Sequence, residues 1–433
     1  MKKIKPVFLV LPVFITLLFS SCGFESLKTG PVSMKEASLE LSVMTMYAGN
    51  DGNASNYKEA VKEWEKQTGY TVKDSSVTSD ETFKTRVSMD FLAGAEADVL
   101  FYFSGEDAAN LVKNDRVVSI DEIRKVYPEY AANMKESLIQ PSPVDGMIYS
   151  IPVNGYWEGL FVNKKVCEAA GVPVPDENTD WDTFMETCEK IKNAGFIPIA
   201  ASLANVPHYW FEFCIYNYGD PENHSTVPRG IYDRAGISWS KGLSDIKKMY
   251  ENGYFPENTL SASDDETMRD FLDGRAAFLL DGSWRVSAIE NATSNVDDFI
   301  VTFVPGKNDR KTTDIIGGLS SGYYITRKAW EDPKKRDAAV SFVEFMTTDD
   351  MVSRFAYVSA TALKSGVKLE KDDVSGLVKS AIYMAEHATG VSEAVQDYVP
   401  AESRAPIFEK MPDIVKGNKD IDEAIGEVIE CLK

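Results

Sequence analysis

The sequence is short of the residues on which most chemistry depends. It has three histidines, His208, His224 and His387, which are scattered, and five cysteines that form no C-x-x-C pair, so nothing has the spacing of a zinc or iron site. It also lacks an H-E-x-x-H helix and a glycine-rich phosphate loop, so neither metal nor cofactor is expected. Positive charge is scarce: 46 Lys and Arg stand against 67 Asp and Glu, a balance that repels phosphate backbones and excludes nucleic acid as a partner.

What is present begins at the amino end. Lys2, Lys3 and Lys5 precede an apolar run from Pro6 to Phe19, the pattern of an export signal over residues 1–21. Its fourteen residues include two prolines and fall short of the roughly 20 that span a bilayer. Phe19-Ser20-Ser21-Cys22 resembles the lipobox of bacterial lipoproteins, with Phe19 where leucine is usual. The resemblance implies cleavage before Cys22 and its lipidation, which would anchor the chain to the extracytoplasmic face of the cell membrane, the periplasmic side where an outer membrane exists. Cleavage removes three lysines and no acid, so the formal charge falls from −21 to −24. Residues 22–37 lack apolar periodicity and read as a flexible tether. Export permits disulfides, and spacing leaves the pairing of Cys167, Cys188, Cys214 and Cys431 open. Three of the four lie in helix-like or aromatic segments, which favours buried free thiols.

From Leu39 the chain alternates strand and helix. LELSVMTMY reads as a strand, and Tyr57, Ala60, Val61 and Trp64 then recur at helical spacing up to Gly69. TVKDSSV, a helix marked by Phe83, Val87 and Phe91, and the strand ADVLFYF complete a β-α-β-α-β order. The grammar restarts after about residue 150: GLFVN, a helix from Trp181, FIPIAAS, the helices LSDIKKMYENG and DETMRDFLDG, the strand AAFLLDG, strand-like IIGGLSSGYYIT, a helix from about Pro333 and a final amphipathic helix. Such alternation predicts an α/β fold with mainly parallel sheets flanked by helices, binding ligands in loops at the carboxyl ends of strands.

Four segments together resemble the family 1 extracellular solute-binding proteins, the receptors of bacterial ABC sugar importers. They are ADVLFYFSGEDAANLVKND, MIYSIPVNGYWEGLFVNKKVCEAAGVPVPDENTDWDTF, FLDGRAAFLLDGSW and GGLSSGYYITRKAWEDPKKRDAAVSFVEFMTTDDM, in the family's order. The resemblance implies a two-lobed periplasmic-binding-protein fold of type II whose hinge is crossed more than once. Lobe 1 would be 38–150 plus 305–355, and lobe 2 would be 151–304 plus 356–433, with crossings near PSPVDGMIYSIPV and TFVPGKN. A monomeric receptor that closes on a mono- or oligosaccharide and hands it to membrane permease subunits is the implied function.

A neutral sugar needs aromatic faces for its ring and acceptors for its hydroxyls. By the resemblance Trp284, after AAFLLDG, stacks on the sugar, and Tyr156 with Trp157 and Tyr209 with Trp210 supply further contacts, at least one of the first pair facing the cleft. On the lobe 1 side Tyr102, Phe103 and Glu106 end a strand and open a helix, while Tyr47 and Asp51 follow the first strand. Glu106 is read either as a hydroxyl acceptor or as a favourable first-turn charge, and Asp281 either as an acceptor or as a turn stabiliser.

Gly318-Leu-Ser320-Ser-Gly322 matches G-x-S-x-G, the pattern of a nucleophilic serine. Its following YYIT reads as strand where helix is required, and His387, the one histidine after it, lies in a helix-like segment. Ser320 and Gly318 are read instead as backbone that approaches the ligand and the hinge. A lipid-anchored hydrolase of glycans stands as the alternative, because carboxylates are plentiful.

Overall fold

The computed structural model describes residues 39–433 except 50, 80, 220–226, 309, 367–373 and 398. The expected signal peptide, Cys22 and tether lie outside the described residues. Ten strands, numbered along the chain, form two sheets among them. The first runs β2-β1-β3-β9 and contains β1 (Glu40–Met44), β2 (Thr71–Asp74), β3 (Val99–Phe103) and β9 (Ser321–Ile325). Its first three strands are parallel, and β9 is antiparallel to β3. The second runs β10-β8-β4-β6-β5, with β7 (Phe299–Thr302) also on β4. Its other members are β4 (Tyr156–Asn163), β5 (Ile197–Ala200), β6 (Ala276–Gly282), β8 (Asp314–Gly318) and β10 (Gly390–Ser392). Here β4 runs antiparallel to β6, β7 and β8, so this sheet is mixed.

Alternation along each strand sends successive side chains to opposite faces, and each sheet accordingly has two apolar clusters. Val99 and Phe101 enter one and Leu100 and Tyr102 the other. Leu160 and Val162 of β4 likewise face one cluster while Trp157 and Phe161 face another. Helices close both layers. Helix Ala54–Thr68 buries Tyr57, Ala60 and Trp64 and stops at Gly69, whose φ is 74°, a left-handed turn that suits glycine. Helix Trp181–Asn193 starts where the Asp180 carboxylate accepts the Thr183 N–H.

Three chain segments join the lobes. Ile151 still bridges to Tyr323 of the first sheet, and by Tyr156 the chain pairs with Gly318 of the second. The second crossing is the short step from β8 to β9, and after helix Asp349–Ala356 a third segment runs along the boundary, its Val358 O accepting from Trp157 of the second sheet and its Leu363 bridging to Met134 of lobe 1. All three meet at Gly155, whose N–H donates to Ala360 O at 2.7 Å. A Cβ there would lie 2.6 Å from Gly318 O and 3.0 Å from Ala360 O, so only glycine fits this contact.

The expected crossing near TFVPGKN moves to Gly318–Ser321, and residues 305–318 lie with lobe 2 rather than lobe 1. Arg310 is the physical reason. Its guanidinium, 3% exposed, donates to Val304 O, Pro305 O, Asp314 O and the Asn217 side chain, tying the turn-rich loop onto lobe 2. Cys167, Cys188 and Cys214 are buried thiols and Cys431 is exposed, all four free. No helix among the described residues is long and apolar enough to cross a membrane.

Candidate functional site

Strand ends of both lobes face each other around one buried group of side chains. In lobe 2 the antiparallel pairing of β4 with β6 sets the amino end of β4 beside the carboxyl end of β6, with Glu158 opposite Gly282. Tyr156 and Glu158 share a face of β4, while Trp157 points the other way. Trp284 follows β6 and folds back over Gly282, where an added Cβ would fall 2.1 Å from its ring. Its ring centroid lies 6.4 Å from those of Tyr156 and Tyr209.

Helix His208–Tyr216 follows β5 and contributes by its own period. Tyr209 and Glu212 are three apart and share a face, and Tyr209 turns to Trp284. Trp210 goes the opposite way, 1% exposed among Trp181 and Phe184. The short turn Val395–Asp397 completes the wall. Tyr156 Oη donates to Asp397 Oδ2 at 3.1 Å and accepts the Ala394 N–H, while the Gln396 N–H donates to Glu212 Oε1 at 3.2 Å.

Four of these carboxyls are almost wholly buried: Glu158, Glu212 and Asp281 are each 1% exposed and Asp397 is 8% exposed. Glu158 and Glu212 lie within hydrogen-bonding reach of each other. Burial, then the neighbouring carboxylates, holds Glu158 well above the usual range. Burial pushes Glu212 up to about 8 and Asp397 up to about 7. Asp281 is differently placed, because Arg285 Nε donates to it at 2.6 Å and the Gly282 N–H at 2.7 Å. Arg285 also pairs with Asp264.

Lobe 1 brings Asp51, whose carboxylate accepts the Asn53 N–H at 2.8 Å and is raised to about 6 by burial, with Arg285 of lobe 2 opposing that rise. It also brings an ion pair to the boundary. Asp107 accepts from Lys84 at 2.9 Å within lobe 1 and from Arg404 of lobe 2 at 3.0 Å, all three side chains no more than 10% exposed. A cavity of about 380 Å³ opens beside this contact, lined by Gly105, Glu106, Gln140 and Pro141 of lobe 1 and by Glu393 and Asp397 of lobe 2. That volume is in the range of small-ligand pockets.

Among the expected residues, Trp284, Tyr156, Tyr209, Asp281 and Asp51 come together, and Glu106 lines the cavity. Trp157 and Trp210 do not join them. Trp157 is 3% exposed and its indole N–H donates to Val358 O at 3.0 Å, so strand alternation commits it to the core face. Tyr102 packs on Phe83 in the core, and Phe103 lies under the Lys84 ammonium, 4.4 Å from its centroid. Tyr47, 4% exposed, packs on Phe101 and donates to Asn154 in the first crossing segment at 3.1 Å. Gly318 pairs with Tyr156 in the sheet, and Ser320 O accepts the Ser104 N–H at 2.8 Å.

Glu158, Glu212, Asp397, Lys84, Asp107 and Arg404 escaped the sequence reading. A signal was present for two of them: each glutamate interrupts an otherwise apolar run, YWEGLFV and HYWFEFCIY, and an acid buried in such a run needs a partner.

The family model of the bacterial extracellular solute-binding proteins matches residues 48–352. The galactooligosaccharide-binding protein of Bacillus subtilis (strain 168) is 22% identical over 427 residues, 96% of each chain. The maltooligosaccharide ABC transporter solute-binding lipoprotein of Streptococcus pneumoniae (strain ATCC BAA-255 / R6) is also 22% identical, over 96% of this chain and 94% of that protein. Among solved structures, a chitin oligosaccharide binding protein superposes with a TM-score of 0.76 at 21% identity, covering 90% of this chain and 98% of the other.

Proposed function

The chain belongs to the bacterial extracellular solute-binding proteins, and on that premise we propose that it captures a mono- or oligosaccharide between its lobes and delivers it to the permease of an ABC importer. The observation that carries the reading is the meeting of Trp284, Tyr156 and Tyr209 with buried carboxyls at the strand ends of lobe 2. Aromatic faces take the apolar face of a sugar ring, and carboxyl oxygens accept from its hydroxyls. The galactooligosaccharide and maltooligosaccharide binding of the relatives supports a sugar as the class. Cys22 carries the lipid anchor, and the receptor works as a monomer on the extracytoplasmic face of the membrane. The hydrolase alternative gains no support from these relatives, which are binding proteins.

Lobe closure is the working motion. Asp107 reaches Arg404 across the boundary, so this pair forms when the lobes are together and hydrates when they part. A thermal-shift screen of the full chain against sugars, amino acids and polyamines tests the proposal. A ligand at 100 times its Kd adds about 2.7 kcal/mol of stability. Stabilisation by one sugar series supports the reading, and stabilisation by amino acids alone overturns it.

A further inference from the structure

Resting on the sugar-receptor reading, we propose that the buried carboxyls of Glu158, Glu212 and Asp397, beside the cavity that Asp397 lines, form a subsite for a protonated amino group, so that the preferred ligand is an amino sugar with a free amine. The first observation is the distribution of charge. Three cations stand nearby, and each is held by other acids: Lys84 and Arg404 clasp Asp107, and Arg285 clasps Asp281 and Asp264. No ion pair among the described residues reaches Glu158, Glu212 or Asp397.

The second observation is independent of charge. Oε2 of Glu158 and Oε2 of Glu212 accept from no N–H or hydroxyl of a neighbouring residue, although both residues are 1% exposed, and a proton shared between the two carboxyls is what satisfies them in the absence of a ligand. A buried acceptor without a donor is costly, and an uncompensated buried carboxylate more so. A neutral hydroxyl adds a donor and leaves the cluster's own protons where they are. An ammonium supplies three donors and the charge together. Tyr156, Tyr209 and Trp284 add aromatic faces, which attract a cation.

Without a ligand the cluster holds protons, in keeping with the rise of Glu212 to about 8 and of Asp397 to about 7. The groups that face it are Tyr156 on β4, Asp281 on β6, His208 and Tyr209 on the helix after β5, Glu393 beside the turn, and Lys84, Asp107 and Arg404 at the lobe boundary. An ammonium entering the subsite therefore expels protons to solvent.

Isothermal titration of the full chain at pH 7 tests this with glucosamine oligomers, their N-acetylated counterparts, neutral galacto- and maltooligosaccharides, and spermidine, in two buffers of different ionisation enthalpy. The free-amine oligomer is expected to bind about tenfold or more tighter than its N-acetylated counterpart, as one charge-assisted contact allows, and to release protons. Glu212→Gln, checked for folding by its melting curve, removes the preference, and Asp397→Asn serves as a second variant. A neutral or N-acetylated sugar binding as tightly as the amine overturns the subsite and leaves the sugar receptor standing. Binding of spermidine with no response to any sugar overturns both.

Discussion

The two lobes present unlike walls to the cleft. Lobe 2 offers rings and carboxyls, Trp284, Tyr156, Tyr209, Glu158, Glu212 and Asp397, on one sheet strand, two helices and one turn. Lobe 1 offers Asp51, Glu106 and the Lys84–Asp107 pair, while most of its aromatic residues near the strand ends, Tyr47, Tyr102 and Phe101, are committed to its own core. On the proposed function, recognition falls chiefly to lobe 2 and locking to lobe 1. The difference arises from sheet geometry: β4 runs antiparallel to β6, so Tyr156 and Glu158 join the loop after β6 at one edge.

The comparison is most sharply tested by two tryptophans of lobe 2. Trp210→Ala should cost about 3–5 kcal/mol of folding stability, as expected for a large ring lost from a packed core, measured by denaturant unfolding. Trp284→Ala should leave that stability nearly unchanged and weaken sugar binding by about 1–3 kcal/mol. Equal unfolding midpoints for the two variants would break the distinction between core and cleft.

Asp107→Asn tests the locking role of lobe 1. It leaves Lys84 and Arg404 without their shared carboxylate, and a broken buried pair costs about 3–5 kcal/mol. Hydration on opening relieves part of that cost, so about 2–3 kcal/mol should appear as a shift toward the open form. Small-angle scattering should show a larger radius of gyration with ligand present, and the Kd should rise. An unchanged Kd would remove the pair from closure.

The smallest expected effect is on pH. Glu212 and Asp397 have folded values above those of the unfolded chain, so the folded state binds more protons between about pH 4 and 8. Stability of the ligand-free protein therefore rises as pH falls from about 8 toward 6.5, by about 1 kcal/mol per unit at most for each group. Below 6.5 His208 opposes this, because burial lowers it to about 3 and the unfolded chain gains its proton first. Glu212→Gln should flatten the upper part of a melting-temperature profile. An unchanged slope would detach Glu212 from it.

Much of the fold was legible because periodicity and punctuation are local. Trp64 at helical spacing before Gly69, Asp180 ahead of Trp181, and Pro333 opening a helix each announce an element through its own neighbours. The lobe boundary at 305 was not legible, since a turn-rich segment marks a loop without saying which sheet it joins, and Arg310 decides that through carbonyls brought near by folding. The site was legible in part. Tyr156, Tyr209 and Trp284 stood out as aromatics at strand ends, but their neighbours Trp157 and Trp210 carried the same signal and only strand alternation and helix phase separate them.

By itself the sequence determined an exported, acidic α/β chain with its elements in family order, because hydrophobic period, caps and glycine stops act over a few residues. The tertiary structure alone decided which carboxyls gather. Glu158, Glu212 and Asp397 are up to 239 positions apart, and their shared burial and raised proton affinity exist only once β4, the helix after β5 and the turn before Arg404 are packed together, since desolvation and charge repulsion depend on distance in space.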